Sequence, residues 1–87
     1  MASACLVQKA IFSAEHQRLC LMLREMRTER GLRQADLAKV LEVNQTFVSK
    51  YERGERRLDL IELRQVCEAL GTDLRSFVEL FEAPVHR

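Results

Sequence analysis

The sequence predicts an all-α domain, a compact set of five short helices. Only one proline and three glycines punctuate the 87 residues. Strand-like alternation of apolar and polar residues is scarce. Apolar residues recur instead at helical spacing, in stretches bounded by the Asn, Asp and Gly residues that start and stop helices. The length is that of one domain, and an apolar content of 47% favours a folded core over disorder.

Residues 1–14 contain Leu6, Val7, Ile11 and Phe12. They are read as an N-terminal arm that packs on the body, or as a tail. Their apolar run is broken by Gln8 and Lys9 and has no basic leader, so they are not read as a signal peptide. No apolar run approaches the ~20 residues that span a bilayer, and the expected location is the cytoplasm. The folded domain is expected over residues 15–83, with 84–87 as a C-terminal tail.

The first helix is expected over residues 15–30. Leu19, Leu23 and Met26 fall at i, i+4 and i+7 and should face a core, and Gly31 should end the helix. Arg24 and Arg30 are read as a solvated face with occasional phosphate contact. The second helix begins at Arg33 or Gln34. Its residues Leu37 and Leu41 are four apart and give it one apolar face. Free backbone N–H groups and the positive dipole end at its start favour an anion there.

Glu42 and Val43 form a turn, and Asn44 is suited to cap the third helix. In that helix, over residues 45–53, only Val48 and Tyr51 face inward. Gln45, Thr46, Ser49, Lys50 and Arg53 are left outside, and Gly54 suits a left-handed C-terminal position. A short helix with a polar outer face suits a groove better than a core. Amide and ammonium groups at one helix end match the edges of bases in the DNA major groove, with Gln fitted to adenine and Lys to guanine.

The fourth helix should start at Leu60, because Asp59 and Glu62 form a variant of the capping box. Leu60, Leu63, Val66, Cys67 and Leu70 follow its period. Asp73 should cap the fifth, where Leu74, Phe77, Val78 and Phe81 repeat at i, i+3, i+4 and i+7, and Pro84 stops it. Leu80 beside Phe81 widens that stripe, and Leu74, Phe77, Leu80 and Phe81 are read as a dimer face.

The residues Gln34-Ala35-Asp36-Leu37-Ala38, Val43-Asn44-Gln45 and Val48-Ser49-Lys50-Tyr51-Glu52-Arg53-Gly54 resemble the Cro/phage-repressor, or Xre-type, helix-turn-helix family. The resemblance covers roughly residues 15–82. It departs from the family pattern at Arg33, where Ser or Thr is usual, and at Glu42, where the turn glycine is usual. It implies a repressor-like domain that places the third helix in the major groove of double-stranded DNA.

Residue by residue, the resemblance implies that Gln45, Thr46 and Lys50 read bases. Phe47 either packs on a thymine methyl or turns back against the second helix. Phosphate contacts are expected from Arg33, Gln34, Asn44, Ser49, Arg53, Arg56 and Arg57. The resemblance also implies an ion pair between Arg27 and Glu52 that ties the first helix to the third. The expected protein is a homodimeric transcriptional regulator, by default a repressor, on a pseudo-palindromic operator. The alternative is an antitoxin or a restriction–modification controller for which binding of a toxin or another regulator is a main task.

Charge distribution agrees with this. Residues 1–57 carry eleven Lys/Arg against seven Asp/Glu, while residues 58–87 carry three against six. The basic half contains the third helix, so the molecule should orient on an anionic duplex. Other chemistries find little support. Cys5, Cys20 and Cys67 are odd in number and widely spaced, and His16 and His86 lack ligand spacing, so neither disulfides nor a metal is expected. Neither histidine falls in a nucleophile motif and no Gly-rich phosphate loop occurs, so no enzyme is expected. No cofactor is implied. Few aromatics are present, which disfavours an RNA-binding module.

Overall fold

The structure is a computed structural model and describes residues 13–83. It contains five helices, α1 (Ala14–Glu29), α2 (Gln34–Leu41), α3 (Gln45–Glu52), α4 (Leu60–Ala69) and α5 (Leu74–Glu82). There is no strand among the described residues. The arm expected over residues 1–14 lies outside them apart from Ser13 and Ala14, and so does the tail at 84–87. Those two residues open α1, where Ser13 Oγ accepts the His16 N–H at 3.0 Å.

Short polar residues start α3, α4 and α5 for the same reason, since the first turn of a helix leaves backbone N–H groups without partners. Asn44 Oδ1 accepts the Phe47 N–H at 3.2 Å. Asp59 Oδ1 accepts the Glu62 N–H at 2.7 Å while Glu62 Oε1 accepts the Asp59 N–H at 3.0 Å, a reciprocal capping box. Asp73 Oδ1 accepts the Ser76 N–H at 2.7 Å. At the far end of α5, Arg18 of α1 donates to the Phe81 carbonyl at 2.7 Å and stacks 4.8 Å from the centre of the Phe81 ring. One side chain thus satisfies a terminal carbonyl and ties the last helix to the first.

The turn between α2 and α3 is made by Glu42, with φ 60° and ψ 41°. This is the left-handed region, which costs a residue with a Cβ on the order of 1 kcal/mol. The Val43 N–H bonds back to the Ala38 carbonyl at 3.0 Å, so the tight turn keeps its backbone bond although glycine is missing. Gly54 turns the chain out of α3 at φ 81°, where a Cβ would be strained.

Every helix contributes to one core. Leu23, Leu37, Ala38, Val48, Tyr51, Val66, Cys67, Leu70 and Phe77 are buried together. Phe77, expected on a dimer face, is only 1% exposed and belongs to this core. Leu60, expected to follow the inward period, is exposed because it is the first residue of α4 and precedes the stretch that packs. The cysteines Cys20 and Cys67 are free and buried, and burial pushes the Cys67 thiol up to about 11. Among the described residues no helix is long and apolar enough to cross a membrane.

Candidate nucleic-acid interface

Helix α3 is anchored by one face and open on the other. Val48 and Tyr51 are fully buried at i and i+3, while Gln45, Thr46 and Lys50 are exposed. Ser49 lies between these extremes. With Asn44 closing the first turn, the outward side chains stand on a helix whose rotation is set by the core.

The far end of α3 is held by charge. Arg27 Nε donates to Glu52 Oε2 at 2.7 Å and Arg27 Nη2 donates to Glu52 Oε1 at 3.0 Å. Arg27 Nη1 also donates to the Leu32 carbonyl at 2.7 Å, in the loop leading to α2. The paired side chains are 9% and 3% exposed. Glu52 raises the Arg27 pKa through its hydrogen bonds, against the opposing effect of burial. A planar guanidinium matching a carboxylate with two parallel bonds is the strong form of such a pair.

The network runs outward from there. Gln34 Nε2 donates to Glu52 Oε1 at 3.0 Å, and Gln45 Nε2 donates to Gln34 Oε1 at 3.3 Å. Gln34, the first residue of α2, therefore bridges the buried pair and the start of α3.

The basic side chains expected on phosphate mostly have carboxylate partners. Arg33 meets Asp36 through Nε at 3.1 Å and Nη2 at 3.0 Å. This pair and the Arg33 backbone N–H hold the Asp36 carboxyl down to about 2. Arg53 donates to both Glu55 oxygens at 3.0 Å and also reaches Ser49 Oγ. Its guanidinium lowers the Glu55 pKa. Arg56 donates to Glu62 at 2.8 and 3.0 Å, and its guanidinium lies 4.5 Å from the centre of the Phe47 ring. Phe47 is half-buried and meets Tyr51 edge-on at 5.7 Å, so its ring is turned toward the body of the domain. Arg57 and Lys50 are exposed.

Two shallow clefts flank α3. One, of about 240 Å³, is lined by Arg24, Arg27, Gln34, Ser49, Glu52 and Arg53. The other, of about 280 Å³, is lined by Gln45, Thr46, Ser49 and Arg53. Polar and charged lining, openness to solvent and lack of a deep apolar wall suit a polyanion lying across the surface better than an enclosed small molecule. No group of side chains that could hold a metal occurs among the described residues. On α5, Leu74 and Phe81 are half-buried, while Leu80 is 56% and Val78 40% exposed.

Comparison with known proteins gives a consistent picture. The profile of the family described as helix-turn-helix, HTH_3, matches residues 23–77. The chain is 34% identical over 62 residues to the HTH-type transcriptional regulator DdrOP3 of Deinococcus deserti, across 71% of this chain and 48% of that protein. It thus spans about half the length of that relative. Among solved structures it superposes on an XRE-family like protein from Pseudomonas syringae pv. tomato with a TM-score of 0.78 and 41% identity, over 87% of this chain and 93% of that one. It also superposes on the restriction–modification controller protein C.Esp1396I, solved as a tetramer in complex with its natural 35 base-pair operator. There the TM-score is 0.73 and the identity 26%, over 79% of this chain and 91% of that one.

Proposed function

The chain belongs to the Xre-type helix-turn-helix family, and from that premise we propose that it is a transcriptional regulator that binds double-stranded DNA sequence-specifically as a small homodimer. Helix α3 enters the major groove, and Gln45, Thr46 and Lys50 meet base edges there. Gln34, Asn44, Ser49 and the arginines 33, 53, 56 and 57 face the phosphates on either side. Phe47 lies at the edge of that surface and supports the Arg56 guanidinium. The observation that carries this reading is the polar face of α3, exposed on a helix whose opposite face is fully buried. The operator complex of the similar C.Esp1396I adds support.

Repression by occlusion of polymerase is the default mode of action for a protein of this kind. Two α3 helices related by a two-fold axis would read a pseudo-palindromic operator. The exposed Leu80 and Val78, flanked by Leu74 and Phe81, supply an apolar surface for the second copy. Likeness to a restriction–modification controller favours a second, narrower reading in which the chain is itself such a controller and binding of a protein partner is a main task. Titration of a labelled duplex pool at two salt concentrations tests the proposal. Binding that weakens steeply with salt is expected, because each neutralised phosphate releases counterions. Absence of binding at low salt contradicts it.

A further inference from the structure

Arg24 precedes Arg27 on α1 by three residues and so lies on the same side of the helix, one turn toward the N-terminus. The two have opposite fates. Arg27 is buried and committed to Glu52 and to the Leu32 carbonyl. Arg24 is exposed, and among the described residues no hydrogen bond or ion pair holds its guanidinium. This sets it apart from Arg33, Arg53 and Arg56, each of which grips a carboxylate.

Its side chain borders the cleft of about 240 Å³ between α1 and α3. The floor of that cleft is electrostatically quiet, since the Glu52 carboxylate is matched by Arg27 and also accepts from Gln34. The opposite wall carries the Ser49 hydroxyl and Arg53, whose guanidinium is held by Glu55 and donates to Ser49 Oγ. An unpaired guanidinium therefore overlooks a recess with a neutralised floor and a hydroxyl, beside a second guanidinium that Glu55 already holds. That is the donor set that takes a tetrahedral dianion or a phosphodiester.

We propose that this cleft is a phosphate socket for the DNA strand that passes along the α1 side of the reading helix, with Arg24 as its charged anchor. The inference rests on the DNA-binding reading and extends the contact surface to a helix outside the helix-turn-helix. Ser49 then shares a phosphate between α3 and α1, and Arg24 fixes how far the domain tilts about α3.

The test is a fluorescence-anisotropy titration of a labelled, mixed-sequence duplex with the full chain over a salt series. Arg24→Ala is expected to weaken binding and to reduce the slope of log affinity against log salt by ~0.9, the equivalent of one phosphate. Arg24→Lys should keep the native slope. Arg30→Ala removes the same charge from the end of the same helix; the sequence groups Arg30 with Arg24 for occasional phosphate contact, but the Arg30 guanidinium lies against Gly71, away from the cleft. It should leave the slope at the native value. An Arg24→Ala slope equal to native overturns the socket, and so does an equal loss in Arg30→Ala, which would reduce the effect to net charge. Failure of the native chain to bind any duplex would bring down the DNA-binding reading itself, and that is visible before any variant is made.

Discussion

Arg27 and Glu52 are 25 residues apart in the chain and meet through two hydrogen bonds, at 2.7 and 3.0 Å, which form a bridge of charge between α1 and the end of α3. Removal of one partner leaves a charge buried without its match. Glu52→Ala should therefore destabilise the fold by about 3–5 kcal/mol, measured by chemical denaturation. A joint replacement, Arg27→Met with Glu52→Leu, should cost less than the single change. Equal losses would mean that the pair is not buried in solution.

Gln34 and Gln45 touch at 3.3 Å, so their effects on binding should not add. Gln45→Ala and Lys50→Ala should each cost ~1–3 kcal/mol on the preferred duplex and relax preference at one position. Arg53→Ala should weaken all sequences alike. The double variant of Gln34 and Gln45 should depart from additivity by ~0.5–3 kcal/mol. Strict additivity in titrations of the preferred duplex would separate the two glutamines functionally.

Acid should loosen the start of α2. The Asp36 carboxyl is held down to about 2 by Arg33, below its ordinary value of ~3.9. A depressed folded-state pKa contributes stability that is complete above the ordinary carboxylate range and is lost as pH falls toward about 2. Glu55 and Glu62 are shifted the same way by Arg53 and Arg56. Thermal melts from neutral pH downward should show stability falling across that window, and Asp36→Asn should flatten the fall. An Asp36→Asn profile parallel to native would remove Asp36 from the account.

The end of α5 should separate fold from assembly. Phe77 is 1% exposed, so Phe77→Ala should cost about 3–5 kcal/mol of stability. Leu80 is 56% exposed, so Leu80→Glu should leave the melting temperature nearly unchanged and shift sedimentation from dimer to monomer. An unaltered dimer would place the interface elsewhere.

The local signals in the chain were readable because caps and periods act over one turn. Asn44, Asp59 and Asp73 each accept the N–H three residues on, as short polar side chains at helix starts do. Glu42 occupies the left-handed turn position in spite of its side chain, because the packing of α2 against α3 demands the turn. Periodicity shows a face but not what covers it, and so Phe77 and Leu80 looked equivalent in the sequence. Their burial shows that they are not. The pairing of Arg53 with Glu55 was also hidden. Exposed arginines choose among nearby partners by rotamer, and here the Glu55 carboxylate two residues on takes Arg53. Arg24 carried no motif signal. Only the position of α1 beside α3 brings it to a cleft.

Selection of binding sites from a random duplex library by the native chain tests the central claim most directly. The account predicts enrichment of an inverted repeat whose half-sites are centred about one helical turn, ~34 Å, apart, each carrying bases suited to Gln45 and Lys50. A bound pool with no preferred sequence would contradict it and leave a non-specific binder, held by phosphate contacts alone.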